Sequence, residues 1–162
     1  MPRFDTDNSI TSPQRTVAIC RAATRYALLR DWSALAEFPL PDGRRADLFC
    51  LLPDGGFALV EVKSCARDFL ADGKWPDYRA YCDHLYFAVD TDFPLGLLPE
   101  AAGLLVAAEG EAALLRPPPE HRLAPSRRRA LLHRFAMLAA RRLCRLSDPT
   151  LATALGAALR SE

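Results

Sequence analysis

A short turn between two apolar segments constrains the fold of this chain more than any other feature. Leu52-Pro53-Asp54-Gly55 has Pro at the second position and Gly at the fourth, which is typical of a type I turn that ends in a left-handed residue. This pattern predicts a three-residue hairpin loop, 53–55, closed by Leu52 opposite Gly56. Paired residue numbers then sum to 108, so Asp47 falls opposite Glu61.

The segment after the turn has the composition of a strand that is buried on both faces. Residues 57–60 and Val62 are apolar, but the segment ends in Glu61 and Lys63. Because side chains alternate along a strand, Glu61 and Lys63 point to the same side. Opposed residues such as Asp47 and Glu61 have Cβ atoms about 4.5–5.5 Å apart. Two carboxylates so close repel each other unless a proton or a cation lies between them.

Asp47, Glu61 and Lys63 together supply the groups of a magnesium-dependent catalytic site. Mg²⁺ prefers oxygen ligands and uses one or two carboxylates with waters and substrate phosphate, and the backbone carbonyl of Val62 could add another oxygen. The metal would acidify a bound water, while Lys63 would orient that water or stabilise negative charge in the transition state. This chemistry is phosphodiester hydrolysis with Mg²⁺ or Mn²⁺. The alternative is an ordinary ion-pair cluster at strand ends, since Glu-x-Lys is a common tripeptide.

The choice of basic residues favours chemistry over a chance ion pair. Of the 21 basic residues only two are lysine, Lys63 and Lys74, and both lie near this pattern. A broad arginine fork does not replace a compact ammonium beside a metal-bound water.

The residues around this pattern resemble a known family. Asp47, thirteen intervening residues and then Glu61-Val62-Lys63 are similar to the motif of the PD-(D/E)XK nuclease superfamily, with Ala46 where the strict pattern has Pro. From about residue 13 to 146 the chain also resembles the MmcB-like DNA repair proteins of bacteria, in segments 43–47, 60–64, 68–70, 72–78, 87–89, 118–121 and 123–125. The resemblance implies an α/β, restriction-endonuclease-like mixed β-sheet flanked by helices, an Asp/Glu/Lys metal site and a role in DNA repair.

Basic and aromatic side chains near the pattern are candidates for DNA contact, namely Arg44, Arg45, Lys74, Trp75 and Tyr78. The two arginines either clamp phosphates or are simply exposed. The two aromatic rings either stack on an unpaired base, with the lysine on a neighbouring phosphate, or pack on the sheet. Glu37 is either an additional metal ligand or a surface carboxylate.

Helical periodicity and turn residues predict the remaining elements. A helix from Ser12 to about Arg30 precedes an edge strand at 37–40, further strands are expected at 84–89, 103–107 and 112–116, and a last helix spans about 126–146. The first helix carries Arg15, Arg21, Arg25 and Arg30, and the last carries Arg127, Arg134, Arg141 and Arg145. A solvated face explains both sets by default, and contact with DNA phosphates is the alternative for the last helix.

The length and composition are those of an ordinary globular domain. We predict a polar N-terminal segment at 1–12, a nuclease-like domain at 13–146 and a short C-terminal helix or tail at 147–162. No membrane span or signal-peptide core is predicted. Five cysteines without a C-x-x-C spacing indicate reduced, buried thiols and a cytoplasmic protein.

Three functions are compatible with these observations. The favoured one is a metal-dependent DNA nuclease with Asp47 and Glu61 as metal ligands and Lys63 as the catalytic lysine. The second is a DNA-structure-binding or adaptor protein on the same fold that does not cut, and the third is an interaction domain unrelated to DNA. DNA is the expected partner, whereas association with other repair proteins and a homodimer are left open.

Overall fold

The computed structural model describes residues 11–151, which contain one six-stranded sheet, three α-helices and two 3₁₀ segments. The helices are α1 (Ser12–Leu28), α2 (Ala66–Ala71) and α3 (Pro125–Ser147), and two 3₁₀ segments span Trp75–Tyr81 and Leu95–Leu97. The strands are β1 (Ser33–Pro39), β2 (Arg45–Leu51), β3 (Phe57–Val62), β4 (His84–Asp90), β5 (Gly103–Ala108) and β6 (Glu111–Arg116). The predicted elements are confirmed, although β1 begins four residues earlier than the predicted edge strand (37 − 33 = 4).

The strands follow one another across the sheet in sequence order. β1, β2 and β3 are antiparallel neighbours, β3, β4 and β5 are parallel, and β6 is antiparallel to β5. A parallel neighbour requires a crossover connection, and α2 with the first 3₁₀ segment provides it between β3 and β4. The mixed sheet of an α/β fold is therefore confirmed.

The turn between β2 and β3 has the predicted length and register. Leu52 donates its backbone N–H to the carbonyl of Gly56, and Gly55, with φ of 81°, donates to the carbonyl of Leu52. The paired residues run from Leu51 with Phe57 to Leu48 with Val60, and their numbers sum to 108. Gly55 adopts the left-handed conformation that favours glycine, so the residue type and the register depend on each other.

The two faces of the sheet bury different side chains. On one face, residues of α1 such as Ile19 and Ala23 pack with Leu48, Val60 and Val62. On the other face, aromatic rings dominate: Phe49 stacks between Phe38 and Phe57, and Phe69 and Trp75 lie edge-on to Phe87. Every residue of β3 is buried, as its apolar composition predicts.

A buried carboxylate just before β4 connects three parts of the chain. Asp83 accepts hydrogen bonds from the backbone N–H of Phe57 at 2.8 Å and of Leu123 at 3.0 Å. Its own backbone N–H donates to the carbonyl of Phe57. The start of β3 is thereby held against the start of β4.

The chain separates into two compact units, with the boundary between Leu123 and Ala124. The first contains the whole sheet, and the second contains α3, on which Leu131 and Phe135 are buried. This boundary lies inside the segment 13–146 that the sequence analysis treats as one domain. The predicted segments 1–12 and 147–162 fall largely outside the described residues.

The state of the cysteines agrees in part with the sequence analysis. All five cysteines are free, as predicted. Cys50 and Cys82 are buried and Cys20 and Cys65 are partly buried. Cys144, on α3, is exposed, so the prediction of buried thiols is wrong at that position. Over residues 11–151, no helix has the length and apolar character needed to span a membrane.

Candidate active site

The hairpin of β2 and β3 brings the first carboxylate to the end of the buried strand. Asp47 lies one residue beyond the last pair of the ladder, Leu48 with Val60. Its Oδ2 accepts a hydrogen bond of 2.8 Å from the backbone N–H of Val62. This bond fixes the half-buried Asp47 beside the C-terminal end of β3.

Glu61 and Lys63 lie on one side of the chain, as strand alternation predicts. The Nζ of Lys63 lies 3.3 Å from the Oε1 of Glu61. Both residues are buried, at 6% and 8% exposure. The backbone N–H of Lys63 still donates to the carbonyl of Ala88 in β4, so the extended conformation continues one residue past β3 and keeps the two side chains together.

A third carboxylate completes the set, and the sequence analysis missed it. Asp72 follows α2, and its Oδ2 lies 2.7 Å from the Nζ of Lys63. Its Oδ1 accepts a hydrogen bond from the backbone N–H of Lys74. The sequence has three similar acids in this segment, Asp68, Asp72 and Asp77. Only the folded path of the segment shows which of them reaches Lys63.

The environment of the two strand carboxylates opposes their ionisation. Burial, and then the nearby charge of Asp47, raises the pKa of Glu61 to about 7. Burial also raises the pKa of Asp47, although the hydrogen bond from Val62 and the charge of Lys63 act in the opposite direction. Two carboxylates that disfavour each other's charge are expected where a cation is to bind between them.

Lys63 and Asp72 stabilise each other as ions. Burial acts against the charge of Lys63, but the hydrogen bond to Asp72 and the charge of Glu61 outweigh it and raise the pKa of the lysine. Burial acts against the charge of Asp72 as well, but the hydrogen bond to Lys63, the charge of Lys63 and the hydrogen bond from the backbone N–H of Lys74 together outweigh it and lower the pKa of Asp72. Lys63 is therefore an ammonium at neutral pH and cannot act as a base.

The residues at this site fit a hard divalent cation. The Oε2 of Glu61 is buried and has no hydrogen-bond partner among the residues that the structure describes. An unpaired buried carboxylate oxygen is costly, and a metal ion satisfies it. Residues 11–151 contain no cluster of three or more His, Cys, Asp or Glu side chains suited to a metal. Two carboxylates with the carbonyl of Val62 and waters instead match the ligand habit of Mg²⁺.

Three charged residues before the site, Glu37, Arg44 and Arg45, form ion pairs with each other or with neighbouring acids. Arg44 pairs with Asp77 at 2.6 Å and also donates to the carbonyl of Lys74. Arg45 is exposed and lies 3.4 Å from Glu37. The charge of Glu37 contributes to the raised pKa of Asp47, which places the two carboxylates near each other.

The other candidates for DNA contact differ in their exposure. Lys74 is exposed. Trp75 is half-buried with its ring centroid 5.8 Å from that of Phe87, so it packs on the sheet and keeps part of its surface. Tyr78 is only 7% exposed, which leaves little of its ring to stack on a base.

An Asp/Glu/Lys set at the end of a β-hairpin, with Glu61 and Lys63 buried, defines the class: an α/β protein with a candidate centre for a hard divalent cation. Comparison with known proteins then identifies the family. The family described as DNA repair protein MmcB-like matches residues 4–150. The chain belongs to this MmcB-like family, and its role lies in DNA repair.

One solved structure is similar to the chain over most of its length. It is the SPO1766 protein of unknown function from Silicibacter pomeroyi, with 41% sequence identity and a TM-score of 0.79. The similarity covers 84% of this chain and 93% of that chain. No curated protein matches the sequence.

Proposed function

We propose that this protein is a Mg²⁺-dependent deoxyribonuclease that hydrolyses DNA phosphodiester bonds during repair. The observation that carries the proposal is the pair of carboxylates at the end of the β2–β3 hairpin, with an unpartnered, buried Oε2 on Glu61 beside the ammonium of Lys63. A structural ion-pair cluster has no need for a carboxylate oxygen that lacks a partner. Membership of a DNA repair family supports DNA as the substrate.

In this proposal, Asp47, Glu61 and the backbone carbonyl of Val62 hold the metal. When bound, Mg²⁺ supplies a polarised phosphate and a more acidic water. The hydrogen bond from the N–H of Val62 holds Asp47 in position. The pKa of about 7 means that Glu61 is readily freed of its proton near neutral pH, where a cation would compete for the carboxylate.

Lys63 stabilises negative charge on the scissile phosphate. An ammonium has three N–H donors, and the contacts to Glu61 and Asp72 occupy two of them. No other residue of the described part of the chain takes the third donor, which binds a phosphate oxygen or the attacking water in this proposal. Asp72 is a positioning residue, since it holds the ammonium without contacting the reacting atoms.

Exposed groups around the site bind the rest of the substrate. In this proposal, the exposed Arg45 and Lys74 contact phosphates, and the half-buried Trp75 stacks on an unpaired base. Arg44 can bind a phosphate if its ion pair with Asp77 breaks. Tyr78 supports Arg44, because the Arg44 guanidinium lies 6.0 Å from the centroid of the Tyr78 ring. Glu37 remains a proposed additional ligand because it lies near Asp47, although its carboxylate is paired with Arg45.

A non-cleaving DNA-structure-binding or adaptor protein is the second candidate. It is favoured because residues 11–151 contain no group of three or more His, Cys, Asp or Glu side chains that could hold a metal ion. A sparse ligand set weakens metal affinity, and a weakly occupied site does not cut.

Cleavage of labelled branched, flapped and single-stranded DNA with Mg²⁺ or Mn²⁺ tests the proposal. Wild type is compared with Glu61→Gln and Lys63→Met, and with Glu111→Gln as a control that removes an exposed carboxylate on β6. We expect metal-dependent cutting that the first two substitutions abolish and the control retains, with DNA binding preserved in all. Salt-sensitive binding without cutting by wild type would establish the adaptor, and neither binding nor cutting would refute both.

A further inference from the structure

The four arginines that the sequence places on a solvated face of the first helix differ in the structure, where α1 ends at Leu28 and Arg30 lies just beyond it. Arg15 pairs with Asp90, with its Nη2 2.6 Å from Oδ2. Arg25 donates a hydrogen bond of 2.8 Å to the carbonyl of Gly110. Arg30 lies over the ring of Tyr26, 3.6 Å from its centroid.

Arg21 is the exception among them. It is exposed, and its guanidinium makes no hydrogen bond or ion pair with the residues that the structure describes. It also lines a cavity of about 500 Å³ between α1 and the β1–β2 edge. Asp47 and Val62, two of the three proposed sources of metal ligands, line the same cavity. A free guanidinium therefore shares a concave surface with part of the proposed metal centre, whereas Glu61 and Lys63 do not line it.

The rest of the cavity wall is suited to a small organic group. Val17, Cys20 and Ala36 provide apolar surface, and the volume lies within the range of small-molecule sites. Glu37 also lines the wall, but its carboxylate is paired with Arg45, which reduces its repulsion of an anion. The cavity is thus too small for a duplex and of the right order for one nucleotide.

We propose that this cavity binds a single unpaired nucleotide adjoining the scissile phosphate, and that Arg21 binds the phosphate of that nucleotide. The inference rests on the proposed nuclease function and adds to it the class of substrate. Guanidinium groups bind phosphate oxygens through two parallel N–H donors, which suits a group that must hold one phosphate in a fixed place. The apolar wall accepts the base or sugar. Substrates with an unpaired nucleotide at the cut are therefore preferred to continuous duplex.

The test compares Arg21→Gln with Arg30→Gln, which removes the same charge just beyond the C-terminal end of α1 and outside the cavity. DNA binding is measured by fluorescence anisotropy with Ca²⁺ in place of Mg²⁺, on a flapped oligonucleotide and on a matched continuous duplex, over a range of salt concentrations. Cleavage with Mg²⁺ supplies kcat and KM separately. Thermal melting of both variants confirms that each is folded.

We expect Arg21→Gln to weaken binding of the flapped oligonucleotide about tenfold, to reduce the magnitude of its salt slope by about 0.7–1, and to raise KM more than it lowers kcat. Binding of the duplex should change no more than in Arg30→Gln. If the two variants behave alike on the flapped oligonucleotide while wild type cuts it, the inference is wrong and the proposed function stands. If wild type binds no DNA and cuts none, both are refuted together.

Discussion

Replacement of Glu61 by Gln should stabilise the metal-free protein at alkaline pH. The folded protein holds the pKa of Glu61 at about 7, against 4.5 for the ordinary side chain, through burial and the charge of Asp47. A carboxyl whose pKa is raised on folding binds its proton more tightly in the folded state, so its contribution to stability is lost as the pH rises from about 4.5 to about 7. At about 1.4 kcal/mol per pKa unit, this penalty reaches about 3 kcal/mol at pH 8. Glutamine keeps the shape and removes the charge.

The assay is thermal or urea unfolding of wild type and Glu61→Gln in EDTA at several pH values. We expect Glu61→Gln to be more stable by about 3 kcal/mol at pH 8, and the difference to shrink to about 1 kcal/mol at pH 5. For a domain of this size, 3 kcal/mol corresponds to about 6–12 °C in Tm. Glu111→Gln, at an exposed position, serves as the control. Equal stability of wild type and Glu61→Gln at pH 8 would refute the argument.

Added Mg²⁺ should reverse the order of thermal stability of wild type and Glu61→Gln. A ligand that binds only the folded state raises its stability, so the Tm of wild type should increase with Mg²⁺ concentration. Glu61→Gln lacks one proposed ligand and should show a smaller increase or none. A Tm of wild type that does not respond to Mg²⁺ or Mn²⁺ would count against the metal centre itself.

Three further substitutions probe the surroundings of the site and the sheet. Asp72→Asn removes the charged partner of Lys63 and should lower kcat about tenfold or more while DNA affinity stays unchanged. Asp72→Glu keeps the charge and should not lower kcat in this way. An unchanged kcat in Asp72→Asn would contradict the positioning role. Asp83→Ala leaves two backbone N–H groups unpaired and should cost about 2–4 kcal/mol in urea unfolding, whereas a loss below about 0.5 kcal/mol would contradict this. Gly103→Ala would bring a Cβ to 2.6 Å from the ring of Tyr86 and should destabilise the sheet by about 1–3 kcal/mol, measured as a lower Tm; an unchanged Tm would show that the ring moves aside.

The sequence by itself determined the core of the candidate site. The spacing of Pro53 and Gly55 sets the loop length, loop length sets the register, and the register decides which residue lies opposite Glu61. Each step is local, because a turn of three residues and the alternation along two strands involve neighbours in the chain. The placement of Glu61 and Lys63 on one side follows from the same alternation.

The tertiary structure alone decided how the charged residues are partnered. Asp68, Asp72 and Asp77 are indistinguishable in the sequence, yet Asp72 reaches Lys63 and Asp77 reaches Arg44. Short helical turns and irregular backbone connect them, so no period predicts where each carboxylate points.

The helix arginines show the same limit. Arg15 and Arg25 find partners 75 and 85 residues away, while Arg21 finds none among the described residues. Helical spacing fixes the side of the helix on which a guanidinium lies, but the neighbouring surface comes from distant segments. A local pattern therefore determines register and face, whereas the partners of long charged side chains depend on how distant parts of the chain meet.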